Sequence, residues 1–350
     1  MAPKSVIIVG AGIFGLSTAL AIARRHPSTQ VTIVDRMTPP VPDGTSVDTT
    51  RCIRADYGDP IYAHLAFQAQ KMIEADPQLQ PHYFKQGMSF IVDAKDAGPA
   101  QKFLANGMAQ VRAQHGAESV VEMKDAGAVY RRIHGQDSQL PSPKSLGRER
   151  RWTLGYCNLE DAFIDAEESV RVYYQRCLAQ RSISFRCGVP VDRLCISQNR
   201  ATGVVLENGE IVQADLTVVA AGAWSNKLVH LEGLMMSSAI EVAWIKLTDD
   251  EVSKWKNMSI TTNLSTGFNL FPPHKGEMKC LRRSAGYKNT VSVPHPDDPS
   301  RTVKASLPRT MITNPGDSIP LEAEAALRDN LRELMPTLAD RPFDRTKLCW

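Results

Sequence analysis

The 350-residue sequence contains no Cys-x-x-Cys pair, and its seven cysteines are an odd number. That excludes a disulfide framework and points to a reducing, intracellular compartment. Charge of one sign is also missing. Lys+Arg 41 against Asp+Glu 38 leaves +3, with no basic stripe or tail, so no nucleic-acid footprint exists. The Gly-x-Ser-x-Gly, His-Glu-x-x-His and phosphate-loop motifs are absent, and the eight histidines show no ligand spacing, so no metal is expected. The one long uncharged run is Val6 to Ala23, which follows Lys4. Gly10, Gly12 and Gly15 interrupt it, and its halves differ, one β-branched and one alanine-rich. A targeting peptide or membrane span is rejected, and no membrane partner is expected.

What is present is globular: 43% hydrophobic and 23% charged residues, over a length that suits two domains or one elaborate α/β domain with an insertion. Ser5–Val9 reads as a buried strand, Leu16–Arg25 as a helix, and Val31–Val34 as a second strand ending at Asp35. Prolines 39, 40 and 42 mark a loop. Asp59-Pro60 should cap a helix to Glu74, with Ile61, Leu65, Ala69 and Met72 on one face. Phe84–Val92 reads as a strand. The polar segment Asp93–Arg151 is taken as part of an inserted region. A long helix is expected over Asp161–Arg181, with Phe163, Ala166, Val170, Tyr173 and Cys177 on one face. A short strand follows at Ser182–Phe185, then a hairpin with a type I′ turn at Asn208-Gly209. Leu216–Ala220 is another buried strand, residues 240–309 look β-rich, Leu321–Met335 helical, and Lys347–Trp350 begins a strand.

Gly10-Ala11-Gly12-Ile13-Phe14-Gly15 lies between the first strand and the first helix. The first glycine permits the tight turn, the second a close approach of a pyrophosphate, and the third close helix–strand packing. Asp35, twenty residues beyond Gly15, would accept from ribose hydroxyls. An acid there disfavours a 2′-phosphate, so FAD and NAD remain.

With Leu216–Ala220 ending in Ala221-Gly222-Ala223-Trp224, the N-terminal unit resembles flavoproteins of the glutathione-reductase type. More narrowly, the chain resembles the FAD-dependent amino-acid oxidases that include monomeric sarcosine oxidase, pipecolate oxidase, saccharopine oxidase and fungal fructosyl-amino-acid oxidase. Three further places carry that resemblance. Asp48-Thr49-Thr50-Arg51-Cys52-Ile53-Arg54 is similar to the segment in which the first arginine adjoins the flavin and the second grips the substrate carboxylate. The fructosyl-amine enzymes usually carry a lysine in this segment, so the two arginines lean towards the sarcosine–pipecolate side. A guanidinium fork suits a carboxylate in a way lysine cannot copy. Gly276-Glu277-Met278-Lys279-Cys280 is similar to the segment whose lysine activates O2, although a lone lysine is ordinarily solvated. Sarcosine and pipecolate oxidases tend to carry histidine four residues later, where this chain has Arg283. Lys347-Leu348-Cys349-Trp350 is similar to the place where a cysteine joins the flavin 8α carbon as a thioether.

The resemblance implies an α/β (α+β) fold, with a Rossmann-like FAD-binding domain and an interleaved antiparallel-sheet substrate domain. Residues 1–83, 151–235 and 330–350 would form the first, and 84–150 and 236–329 the second. It further implies a monomer, in the cytoplasm or peroxisomes, that oxidises a small N-substituted amino acid with O2 and releases H2O2. Catalytic roles fall to Lys279 and Arg54. Cofactor contacts fall to Gly10, Gly12, Ile13, Phe14, Gly15, Asp35, Arg36, Thr50, Arg51, Val189, Gly222, Trp224 and, covalently, Cys349. The alternatives are a fructosyl-amino-acid oxidase, a flavin or NAD dehydrogenase that has no need of Lys279, and an inactive truncated remnant. Ending one residue after Cys349, the chain reads as truncated. Its last residues should fray, leaving FAD weakly and mostly non-covalently held.

Overall fold

Alternate residues of the first strand, β1 (Ser5–Val9), serve two different cores. Val6 and Ile8 pack with Leu16, Ala19 and Leu20 of α1 (Ile13–Arg25) and with Val170 and Cys177 of the helix Ala166–Leu178. Ile7 and Val9 face the other way, onto Val191, Val204 and Leu206. A strand buried on both sides must be apolar at every position, which Val-Ile-Ile-Val satisfies. β1 is central in a parallel four-stranded sheet, ordered Leu216–Val219, β1, β2 (Gln30–Asp35) and Ile183–Cys187. Helices cover one face, and a three-stranded meander of Val191–Ser197, Arg200–Leu206 and Ile211–Gln213 covers the other. The computed structural model describes residues 2–93, 95, 98–147, 150–231 and 233–350.

A second sheet has eight strands. Its order is Arg345–Cys349, Ile240–Lys246, Glu277–Arg282, Phe268–Leu270, Ile260–Asn263, Met88–Asp93, Trp152–Asn158 and Val120–Met123. All pairs are antiparallel except Ile260–Asn263 with Met88–Asp93. The helix Leu321–Leu334 buries Ala323, Leu327, Leu331 and Leu334 against Ile245, Phe268 and Met278 on one face. Leu104 and Val111 of the helix Pro99–His115 join Phe90, Tyr156 and Trp244 on the other.

Several local expectations need correction. The segment 93–151 is not merely polar insertion: it holds the helices Pro99–His115 and Ala126–His134 and the strand Val120–Met123. Its residues 94, 96–97 and 148–149 lie outside those described. The helix expected from Asp161 begins only at Ala166, because the Asp165 carboxylate accepts from Glu168 N–H and caps it there. Ala162–Ile164 is a strand that pairs with Arg51–Ile53 and Tyr83–Phe84, so Phe163 belongs to a sheet. Phe84–Val92 is two strands parted by Gly87, whose φ of +74° breaks the ladder. Asp59 does cap the helix Pro60–Glu74, but its apolar stripe faces outward. Ile61, Leu65, Ala69 and Met72 are exposed, and Ala63 and Gln70 face inward, Gln70 donating to Glu160 O and Tyr83 Oη. The Asn208-Gly209 turn is not type I′, since only Gly209 has positive φ. Two-residue turns with φ positive at both positions lie instead at Gln198-Asn199, 50° and 58°, and at Lys275-Gly276, 52° and 75°.

The boundaries drawn from sequence place 151–158 and 345–350 with the cofactor region. The strands there, Trp152–Asn158 and Arg345–Cys349, are members of the eight-stranded sheet.

Candidate active site

The dinucleotide turn has the geometry its glycines predict. Gly10 has φ +110°, and a Cβ there would sit 2.4 Å from Ala220 O. A Cβ on Gly15 would sit 1.8 Å from Gly10 O, so this glycine is what lets α1 approach β1. Gly12 differs: no chain backbone crowds it, and an added Cβ would meet only Ser46 Oγ, at 3.0 Å. It begins α1 with no side-chain cap. Ile13 N–H donates to Ser46 Oγ at 3.0 Å, and the Phe14 ring stands 78% exposed at the helix start. Asp35 Oδ2 accepts from Ala11 N–H at 2.7 Å and Oδ1 from Met37 N–H at 3.2 Å. Burial raises the Asp35 pKa in spite of those donors. Across the sheet ends, the Arg36 guanidinium lies over the Trp224 ring, 4.6 Å from its centre, and pairs with Asp43. Gly222 has φ +54° beside Trp224, and Val189 packs on the Ile7–Val9 face of β1.

A second group forms where strand Arg51–Ile53 meets the large sheet. Lys279 is sealed inside, with Nζ donating to Asp48 Oδ2 at 2.8 Å and Thr50 O at 2.6 Å. It lies over the Phe271 ring at 4.5 Å. This is not a solvated lysine. Burial lowers its pKa to about 8, although the Asp48 carboxylate opposes that shift. Burial works against the Asp48 charge too, but Lys279, Arg51 and Lys347 outweigh it and hold that pKa down to about 2. Arg51 pairs with Asp48 and donates to Thr45 O at 2.9 Å and to Cys349 Sγ at 3.2 Å. The Thr50 side-chain oxygen is buried with no hydrogen-bond partner among the described residues.

Arg54 stacks on Tyr57, 4.4 Å from the ring centre, and donates to Asp56 O at 2.7 Å. Behind it is a buried acidic network. Asp56 accepts from Tyr156 Oη at 2.7 Å and Asn158 Nδ2 at 3.0 Å, and the same Asn158 Nδ2 donates to Asp161 Oδ1 at 2.8 Å. Burial first, then the Asp56 charge, raises Asp161 well above the usual carboxylate range.

The last residues are tied into the large sheet. Arg345–Cys349 pairs with Ile240–Trp244, Trp350 Nε1 donates to Arg309 O at 2.7 Å, and Thr45 Oγ1 donates to Trp350 O. Beside Cys349 a recess is lined by Asp43, Gly44, Thr310, Met311 and Lys347.

Sequence reasoning therefore found both groups but missed what balances them. Asp48 was visible as an acid next to two arginines, and nothing local marked it as their shared counter-ion. Asp161, Asn158 and Tyr156 carried no signal at all, because their partner Asp56 is about a hundred residues away.

The residues present fit FAD. The turn is formed, Gly12 starts α1 with no side chain of its own over the helix end and only the Ser46 hydroxyl on Ile13 N–H, each Asp35 oxygen has accepted one donor and keeps a further lone pair, and the Thr50 hydroxyl is buried without a partner among the described residues. A formed dinucleotide turn, and a buried lysine beside two arginines on the next sheet, define a flavin-type oxidoreductase. Residues 5–350 match the profile of the family described as "DAO: FAD dependent oxidoreductase", and the chain belongs to that family. It is 26% identical over 355 residues to L-saccharopine oxidase of Schizosaccharomyces pombe, covering 99% of this chain and 79% of that protein. It is 26% identical over 399 residues to amino acid oxidase imqH of Aspergillus flavus, covering 100% and 83%. The solved fructosamine oxidase Amadoriase II from Aspergillus fumigatus superposes with a TM-score of 0.77 at 26% identity, over 99% of this chain and 75% of that one. No helix among the described residues is long and apolar enough to cross a membrane.

Proposed function

We propose that this FAD-dependent oxidase of amino acids acts on a secondary amine, converting its C–N bond to an imine. The observation that carries the reading is that the buried Lys279 bonds to Asp48 and Thr50 O at the head of the strand Arg51–Ile53, while the half-buried Arg54 follows directly after that strand. Arg54 anchors the substrate carboxylate. Its fork is already oriented by Asp56 O and the Tyr57 ring, so little is spent on ordering it. Bound FAD supplies hydride acceptance from the substrate and electron delivery to O2. Gly12 and the start of α1 receive its pyrophosphate, Asp35 its ribose, and Thr50, Arg51 and Cys349 its ring end, with Cys349 as the thioether anchor. Lys279 holds a fixed positive charge where O2 is reduced, which favours electron transfer to it. A dehydrogenase would gain nothing from that charge.

Fructosyl amino acids are a second reading, favoured by the likeness to Amadoriase II. The test is anaerobic mixing of the FAD-loaded protein with sarcosine, pipecolate, saccharopine and a fructosyl amino acid, followed by air. Loss of the oxidised-flavin band with at least one, then H2O2 on aeration, is expected. A flavin band untouched by every secondary amine overturns the proposal.

A further inference from the structure

Residues 54–59 join the strand Arg51–Ile53 to the helix Pro60–Glu74 without regular structure, and Arg54 stands at their start. A connection of this kind is ordinarily loose, because few backbone hydrogen bonds hold it. Here one residue ties it down. The Asp56 side chain is fully buried, and its two oxygens take different donors from the strand Trp152–Asn158. Oδ1 accepts from Tyr156 Oη at 2.7 Å and Oδ2 from Asn158 Nδ2 at 3.0 Å. The two donors are two residues apart, so they share one face of the strand. Among the described residues, 54–59 make no other hydrogen bond to that sheet.

The anchor points are themselves fixed. Asn158 donates to Asp161 Oδ1 at 2.8 Å and accepts from Glu160 N–H at 3.0 Å. Tyr156 stacks on Phe90 at 5.2 Å, and its hydroxyl fills a space that Gly107 leaves open, where a Cβ would come within 2.7 Å of it.

The Asp56 backbone carries this tether on to Arg54. Tyr57 N–H donates to Ala55 O at 2.8 Å, which closes a three-residue turn centred on Asp56. The peptide between Asp56 and Tyr57 is planar, so holding its N–H also sets the direction of its C=O. That carbonyl accepts from Arg54 Nη1 at 2.7 Å. The guanidinium lies 4.4 Å from the Tyr57 ring centre and 5.8 Å from that of Phe90, the ring stacked on Tyr156. One N–H is spent on the carbonyl, and the rest of the fork stays open to a ligand. A carboxylate turned directly onto Arg54 would neutralise the cation that has to receive one. Asp56 turns its charge to Tyr156 and Asn158 instead, and offers Arg54 a neutral acceptor.

We propose that Asp56 is a positioning residue for Arg54: its side chain, pinned by Tyr156 and Asn158, sets the carbonyl that aims the guanidinium at the substrate carboxylate. The inference rests on the carboxylate-anchoring role given to Arg54 above.

The test measures, by calorimetry on protein saturated with FAD, the dissociation constant of methylthioacetate, an unreactive carboxylate. Asp56→Ala should weaken binding about 3- to 10-fold, the size of one hydrogen bond. Asp56→Asn keeps an acceptor for Tyr156 and should recover part of the loss. Tyr156→Phe removes one donor but keeps the ring on Phe90, so it should act in the same direction and by less. A residue that only held the fold together would add its loss to that of Arg54→Lys. Positioning does not add, since without the fork nothing is left to aim. Asp56→Ala placed in Arg54→Lys should therefore weaken binding by less than about 2-fold further. Should Asp56→Ala fail to fold, Tyr156→Phe completes the same cycle. Unchanged affinity in Asp56→Ala, or full additivity with Arg54→Lys, overturns the positioning role and leaves the anchoring role of Arg54 standing. No binding by the wild type, or an affinity unmoved by Arg54→Lys, overturns both.

Discussion

Lys279 and Asp48, 231 residues apart, form a 2.8 Å ion pair whose side chains are 2% and 0% exposed. Asp48 is shared with Arg51, so one carboxylate balances two cations, and the pocket keeps net positive charge.

That balance makes the oxygen half-reaction pH-dependent. With its pKa lowered to about 8, Lys279 is protonated below that pH and neutral above it. Reoxidation of the reduced enzyme by O2 should slow as pH rises through about 8, and reduction by substrate should not follow the same limb. Asp48 opposes the lowering, so Asp48→Asn should move the limb to lower pH. Lys279→Met should slow reoxidation on the order of 100-fold, the size of losing one positioned charge donor. Stopped-flow timing of the two half-reactions decides. A loss confined to reduction would remove Lys279 from the oxygen side.

Gly12 and Gly15 should fail differently. A side chain at Gly15 collides with Gly10 O, so Gly15→Ala should lower the melting temperature, by a loss of about 1–3 kcal/mol for overpacking. At Gly12 only the Ser46 hydroxyl is in the way, so Gly12→Val should fold and lose FAD. Flavin content after gel filtration, read against the melting curve, separates the two. Full flavin in Gly12→Val would mean that the pyrophosphate lies elsewhere.

Arg54→Lys should raise KM for the substrate about 10- to 150-fold, corresponding to roughly 1.5–3 kcal/mol for a charged hydrogen bond. The amino-acid methyl ester should suffer no such change, because it offers no carboxylate. Equal turnover of acid and ester by the wild type would refute the anchoring role.

The buried carboxyl pair behind Arg54 gives a stability prediction. The folded-state pKa of Asp161 is raised, so folding favours its proton, and stability falls as pH climbs from the unfolded value towards the folded one. Asp161→Asn keeps a hydrogen-bond donor towards Asp56 and removes the titration. The variant should therefore lose less melting temperature than wild type between pH 5 and pH 8. Parallel curves would show that Asp161 is ionised throughout.

What was legible in the sequence was local. β1, α1 and β2 could be read because four aliphatics, three glycines and an acid fall in a short run, each for its own steric reason. Lys279 and Cys349 could be singled out only by resemblance, since a lone lysine or cysteine fits many surroundings. The helix Pro99–His115 escaped notice because just Leu104, Gly107 and Val111 of it are buried, too thin a stripe to stand out. The Pro60–Glu74 helix shows the opposite error, a clear periodicity whose apolar face points outward while an alanine and a hydrogen-bonded glutamine pack inward. Ion pairs such as Lys279–Asp48 depend on which strands neighbour each other, and the sheet order is not written in any single segment.

The same holds for the chain end, where a frayed tail was expected and a tethered strand is found. Cys349 is partly buried, its strand is hydrogen-bonded to Ile240–Trp244, and Arg51 donates to its sulfur. Trp350 is 8% exposed and tied at both its ring and its carbonyl. Under the proposed function, Cys349 would be the thioether anchor of a flavin whose ring end is held by Arg51 and Thr50. Protein reconstituted with FAD under air should therefore stay yellow after acid precipitation and washing, and Cys349→Ala should release all its flavin to the supernatant. Arg51→Gln removes the donor that fixes the sulfur and should lower the covalent fraction severalfold while Cys349 remains present. If the wild-type pellet is colourless although FAD was bound before precipitation, the anchor does not form in this chain. Cys349 would then be a packing residue of the sheet edge.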